Sequence, residues 1–254
     1  MRTLYLDCGM GASGDMLMAA LADIAPEGGR IAERLEALGL PGLRAELERV
    51  TKNGVAGSHI KISVHGVDEA EPQAPHDHHH HEHRGLEDIC RIIDGFALPE
   101  KVRADAKAVY TLIAQAEGRV HGREPGEVHF HEVGALDSIL DICMACVLFT
   151  RLSPARFVVS PLPIADGEVV CAHGVIPVPA PAVLELLEGI PVRPFSGEGE
   201  TVTPTAIALL RSLGATFGPW PAMLVERRAL VYGSRVFANA PNGTIFACGT
   251  ELEG

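Results

Sequence analysis

The stretch His129-Phe130-His131-Glu132-Val133-Gly134-Ala135-Leu136-Asp137-Ser138-Ile139-Leu140-Asp141-Ile142 decides how this chain is read. It reads as the start of a helix that runs on to about Leu148 or Leu152. At about 100° per residue, His131, Gly134, Asp137, Ser138 and Asp141 share an arc of roughly 120°. Val133, Leu136, Ile139, Leu140 and Cys143 fill much of the remainder. A surface helix is apolar along one stripe and polar over the rest. Here the polar arc is the narrow one, and it carries no Lys or Arg. The pattern predicts a helix buried on most sides, with one face of proton-handling or metal-compatible groups. A solvated face with two aspartates is the plain alternative, set against the rarity of buried charges without a partner.

Outward from this stretch, the N-terminus offers a second polar cluster. Residues 3–8 read as a buried strand, followed by the turn Gly9-Met10-Gly11-Ala12-Ser13-Gly14 and a helix from about Asp15 to Ile24. Ser13 is a candidate N-cap. The turn matches the G-x-G-x-x-G dinucleotide fingerprint. That fingerprint also needs a second strand ending in an acid about 20 residues on, and a helix from Arg30 to Leu38 is predicted there instead. A glycine turn feeding a helix N-terminus still suits anions, which makes Gly11, Ser13 and Gly14 candidate ligand contacts. Asp15 would repel a bare phosphate and fits a metal ion or a metal-bridged phosphate. Asp7, at the strand end, is expected to point to the same place. Helix-dipole complementarity alone also accounts for Asp15.

Arg44 to Val64 alternates as a hairpin around Asn53-Gly54, with Ile60, Ile62 and Val64 on one face. A mobile acidic loop at about 67–84 carries His76, His78, His79, His80, His81 and His83. Such a tract binds Ni, Zn, Cu or Co without fixing one geometry, which suits capture or hand-off; a neutral linker is the alternative. Helices are expected over Arg84–Asp94 and from Pro99-Glu100 to about Val120, ended by His121-Gly122. Phe157–Ser160 and Glu168–Ala172 read as strands with a loop from Pro161 to Gly167 between them. His173 then opens a stiff proline segment that leads into a helix from Pro181 to Glu188. Thr203 as N-cap with Pro204 at the first helical position marks another helix start. With Glu200 and Thr205 it forms a second candidate site, for a phosphate or a metal, although capping alone also explains the threonines. Met223–Val231 and Thr244–Ala247 read as late strands.

The chain has 254 residues, 47% hydrophobic and 21% charged, with a net charge of −12. That is globular composition with room for a sizeable core. Its acidity argues against nucleic acid and anionic membranes as partners. No apolar run approaches the roughly 20 residues of a membrane span, and the N-terminus does not read as a signal peptide. A cytoplasmic protein is expected. The six cysteines do not form a disulfide framework, and Cys143-x-x-Cys146 falls inside an apolar helical run, as a buried pair would. The fold expected is α/β or α+β, a single domain over 1–254 with one mixed sheet and flanking helices.

Five motifs occur in a familiar order: Asp7…Gly11-Ala-Ser13-Gly14-Asp15-Met16, the histidine tract, the string from His129 to Ile142, Cys171-Ala-His173-Gly174…Pro177-Val-Pro-Ala-Pro181, and Thr203-Pro204-Thr205. Together they resemble the nickel-insertion proteins of nickel-pincer cofactor biosynthesis (the LarC family), over roughly the first 210 residues. The resemblance implies a CTP-dependent cyclometallase, a lyase that inserts Ni²⁺ into pyridinium-3,5-bisthiocarboxylic acid mononucleotide. Two sulfur–nickel bonds and one carbon–nickel bond form, and the product serves lactate racemase and related enzymes. It further implies that CTP, with Mg²⁺ or Mn²⁺, is bound by a second domain, expected here on a separate partner, and that the protein is an oligomer.

On this reading His131, Asp137, Asp141 and Glu132 are the catalytic candidates, His131 being the preferred base for the ring proton. Nickel contacts are expected from the histidine tract, His129, His131, Asp7 and Asp15. The substrate phosphate is expected at Gly11, Ser13 and Gly14 or at Thr203 and Thr205. The sequence departs from the family at Gly9, at Ala206 and in the segment Ala229–Arg235, where the family's glycine-rich G-Y-G-A-G is degraded. The competing readings are a non-catalytic nickel chaperone or store, and a metal-dependent hydrolase built on Asp7, Asp15 and Asp141.

Overall fold

The computed structural model describes residues 1–25, 43–64, 67–68, 84–130, 133–171, 174–234, 236–237 and 242–252. The helix expected over Arg30–Leu38, the histidine tract, His131, Glu132 and His173 lie outside them.

The described elements run, in order, β1 (Arg2–Asp7), α1 (Gly14–Ile24), β2 (Leu43–Lys52), β3 (Val55–Val64), β4 (Val67–Asp68), β5 (Arg84–Gly85), α2 (Leu86–Gly95), α3 (Glu100–His121), β6 (His129–Phe130) and α4 (Leu136–Leu152). They continue with β7 (Arg156–Val159), β8 (Leu162–Asp166), β9 (Glu168–Cys171), β10 (Gly174–Pro177), α5 (Pro181–Leu186), β11 (Val192–Glu198), α6 (Pro204–Ser212), β12 (Thr216–Phe217), β13 (Met223–Val231) and β14 (Thr244–Glu251). The main sheet has the order β12-β7-β1-β14-β13-β3-β2, with β4 added to β3. Pairing is parallel at β12–β7, β7–β1 and β13–β3, and antiparallel at β1–β14, β14–β13, β3–β2 and β3–β4. This is a mixed α/β fold, as the pattern of elements predicts.

Local chemistry explains the elements. Asn53 and Gly54 both take positive φ (51° and 77°), as a two-residue hairpin turn requires, and fix the β2–β3 register. Their strand sends Ile60 and Ile62 into the core. α1 is built from Ala, Leu and Met, strong helix formers with little side-chain entropy to lose. Met16 to Ala22 are all buried, because α1 packs between the sheet and α4. Gly122 ends α3 in the left-handed conformation, φ 63°, as its position after His121 predicts. Cys143 and Cys146 are fully buried on α4. Burial pushes the Cys143 thiol up to about 12 and Cys146 up as well, so both stay protonated near neutral pH.

Three local expectations change. Pro161–Gly167 is not a loop: Leu162–Asp166 forms β8, paired in parallel with β11. The long acidic segment begins as strand, since Val67 and Asp68 pair with Val64 and Ser63. The central helix starts at Leu136 and not near His129. His129 and Phe130 pair instead with Gly85 and Arg84. A turn separates the strand from the helix, and Gly134 is needed in it because a Cβ there would fall 2.9 Å from both Cβ and O of Phe130.

Candidate functional site

Two helix N-termini, distant in sequence, are joined by backbone. Ala12 and Val202 form a parallel bridge. The Ala12 amide donates to Thr201 O (2.9 Å), and the Thr203 amide donates to Ala12 O (3.1 Å). Gly11, at φ 133°, lies so close to Thr201 that a Cβ would sit 1.8 Å from its carbonyl oxygen. Thr244 locks the turn from the sheet side by donating its hydroxyl to Gly11 O (2.7 Å). The starts of α1 and α6 are thereby brought together, and a Cβ at Gly14 would be 3.1 Å from Thr205 Cγ2 and 4.0 Å from Asp141 Cβ.

Around this junction lies a cavity of about 790 Å³. Of the residues picked out from sequence, Ser13, Gly14, Asp15, His129, Asp141, Thr203 and Thr205 line it. Gly11 does not line it and acts one step back, through its close approach to Thr201, which does. Thr203 caps α6 with its own side chain, Oγ1 accepting from the Ala206 amide at 3.2 Å. Ser13 occupies the cap position of α1, but its hydroxyl makes no capping bond. Replacing Thr203 by Ala should cost about 1 kcal/mol. A thermal melt should show Tm falling by about 2–4 °C.

Asp141 is a buried charged residue, 6% exposed, beside the N-terminus of α1. The positive end of that helix favours its carboxylate. The turn ahead of α4 is braced from below. Tyr110 donates to Val133 O (2.9 Å), Arg84 donates to Gly134 O (2.7 Å), and Phe130 meets the Tyr110 ring edge-on at 5.7 Å. Burial, and secondarily the charges of Cys143, Asp141 and Asp137, hold the Tyr110 hydroxyl well above its usual range, so it remains a donor.

Two candidates are placed elsewhere. Asp137 is half-buried in the first turn of α4, where its Oδ1 accepts the Ser138 amide at 2.7 Å. Asp7 lines a different cavity, of about 450 Å³, with Gly9, Arg193 and Asn242. Arg193 there donates to Cys8 O (3.2 Å) and Gly9 O (2.8 Å). Strand β1 ends on the far side of the glycine turn, so Asp7 and Asp15 do not share a site.

The β2–β3 hairpin contributes residues that carry no sequence motif. His59 and Lys61 line the large cavity, and His59 Nδ1 contacts Tyr232 O at 2.9 Å. Lys52 donates to Gly233 O (2.6 Å) and lies 5.6 Å from the centre of the Tyr232 ring. Burial lowers its ammonium from the usual lysine range, and Asp15 opposes that shift. Glu117, His121 and Glu200 complete a mixed acid–base lining. Only the Asn-Gly turn hinted that this hairpin mattered. Among the described residues no three His, Cys, Asp or Glu side chains converge as a preformed metal site. No described helix is long and apolar enough to cross a membrane.

Comparison with known proteins bears on this cavity. A family described as "Nickel insertion protein" matches residues 4–250. A Geotalea daltonii protein named for nickel insertion is 42% identical over 244 residues, covering 95% of this chain and 59% of its own. Relatives named pyridinium-3,5-bisthiocarboxylic acid mononucleotide nickel insertion protein are 39% identical in Desulfitobacterium hafniense (93% of this chain, 55% of the relative) and 36% identical in Geobacillus kaustophilus (99% and 60%). This chain thus spans between 55% and 60% of the length of these three relatives. No solved structure matches it. With a family match over nearly all its residues, the chain belongs to the nickel insertion protein family.

Proposed function

We propose that this chain supplies the metal-inserting site for nickel insertion into pyridinium-3,5-bisthiocarboxylic acid mononucleotide. The observation that carries the reading is the convergence of the α1 and α6 N-termini, Asp15, His129 and Asp141 on one cavity, in a chain of the nickel insertion family. The two helix ends suit the substrate's phosphate, since orphan backbone amides and the helix dipole both favour an anion. Nickel is a substrate here: it enters as the hydrated ion and leaves bound to two sulfurs and one ring carbon.

Forming the carbon–nickel bond releases a ring proton, and a carboxylate or neutral imidazole beside the ring takes it. In this scheme His131 is that base, and Glu132, Asp137 and Asp141 are the other catalytic groups. His129, Asp15 and Asp7 complete the nickel-handling set, although Asp7 and Asp137 are separated from the cavity lining. The histidine tract raises local nickel concentration. The scheme assigns CTP, with Mg²⁺ or Mn²⁺, to a separate domain that acts with this cytoplasmic, oligomeric single-domain chain. The reaction is of lyase type, and the product serves lactate racemase-type enzymes.

The test is an insertion assay with nickel, substrate, CTP and a separately supplied CTP-binding domain, read by mass spectrometry of the metallated product. Deleting residues 76–83 should lower the rate only when nickel is scarce. A deletion that abolishes the function at saturating nickel would favour the alternative, a chaperone that merely delivers the ion. Failure of the intact pair to metallate the substrate would refute the reading itself.

A further inference from the structure

Strands β9 and β10 form a ribbon joined to no other strand among the described residues. Its register sets Val169 opposite Ile176 and Val170 opposite Val175. Side chains alternate between the two faces of a strand, so Val169 and Ile176 project together. Both line the large cavity. Val175, on the opposite face, is 62% exposed. The ribbon is tied at its base, where the Val178 amide donates to Gly167 O (2.9 Å) and the Gly199 amide to Asp166 O (3.1 Å). Gly167 has φ 119° and Gly174 has φ 88°, backbone that glycine adopts without strain. A lone two-stranded ribbon is marginally stable in water, so opening about the tied base costs little.

The cavity has two characters. Part of its lining is polar, made by the helix starts and Asp141. Another part is apolar, with Val120, Val133, Ala180 and Pro181 beside the Val169–Ile176 pair. A ligand with an anionic phosphate and a flat ring, whose faces make no hydrogen bonds, matches both parts at once. We infer that the β9–β10 ribbon is a flap whose Val169–Ile176 pair closes on the ring of a pyridinium mononucleotide, while the phosphate occupies the helix starts. Ile176 and Val169 are then specificity determinants: they hold the ring and exclude water from it. The identity of the ring rests on the nickel-insertion reading; the flap itself rests on register and lining.

Binding without chemistry separates the two ideas. Pyridinium-3,5-bisthiocarboxylic acid mononucleotide is titrated calorimetrically, without nickel, into the full chain and into Ile176→Ser, Ile176→Leu and Val175→Ser variants. Loss of a buried aliphatic contact should weaken Ile176→Ser roughly ten-fold. Ile176→Leu and Val175→Ser should stay within about two-fold, since the first keeps an apolar side chain of similar volume and the second alters an already exposed position. Amide exchange over 168–171 and 174–177 should slow on binding. Equal affinity in all four proteins, or equal weakening by Ile176→Ser and Val175→Ser, overturns the flap and leaves nickel insertion standing. No binding to the unmodified chain overturns both.

Discussion

Replacing Gly11 by Ala should lower the stability of the protein by at least about 3 kcal/mol, among the largest effects expected of a single substitution. The added methyl would stand 1.8 Å from Thr201 O and 2.7 Å from its carbonyl carbon. Both are main-chain atoms and cannot rotate away. The φ of 133° adds a strain that glycine alone escapes. Thr201 would have to retreat, and with it go the two hydrogen bonds that join Ala12 to Thr201 and Thr203. For a chain of this size a thermal melt should show Tm falling by about 6–12 °C. Substrate affinity should fall as well, because the α1 and α6 starts would no longer meet. A Gly11→Ala protein that melts with the unmodified chain would show that the approach to Thr201 is not required for folding.

On the function proposed above, replacing Asp141 by Asn should leave the fold intact and reduce nickel insertion by about two orders of magnitude, the scale on which loss of one well-placed active-site group is felt. The substitution keeps the shape of a buried side chain while removing its charge. That charge lies beside the α1 N-terminus and faces the cavity. It can offset the cationic ring and the incoming Ni²⁺, or share the released proton. The measurement is metallated product per unit time, with circular dichroism and Tm as controls for folding. Insertion at the unmodified rate would exclude the Asp141 carboxylate from the chemistry.

Much of this arrangement could be read from residue order, and the reasons are local. Thr203-Pro204 is a self-contained helix start, so its position follows from capping rules alone. Asn53-Gly54 fixes its hairpin in the same way. The narrow polar arc around Asp137 and Asp141 pointed to a helix buried on nearly all sides, and Ile139 to Leu148 are buried. Non-local facts were harder to read. The arc assumed helical geometry from His131 onward, but the helix begins at Leu136, after a turn at Val133 and Gly134. Among the described residues of the arc, Asp137, Ser138 and Asp141 lie on the helix, and Asp137 spends an oxygen on its neighbour's amide. Asp7 looked like a partner of Asp15 because a glycine turn connects them. The turn instead divides two cavities. Lys52, His59 and Lys61 belong to no motif; the β3–β13 pairing and the packing of α1 on β3 carry their hairpin to the site.

The position of β1 has a consequence for the order in which the protein can assemble. This first strand is not an edge: it lies between β7 and β14, and its partner on one side is residues 244–251. Its backbone groups on that side wait until residues 244–251 have been synthesised. Contacts between such distant segments carry a loop-closure cost that must be met before they are rewarded. The glycine turn that follows β1 is also locked by Thr244, at the head of β14. The cavity at the two helix starts is therefore a late product of folding. A nascent chain has made the residues of α1 and of the β2–β3 hairpin long before the strand that completes the cavity around them.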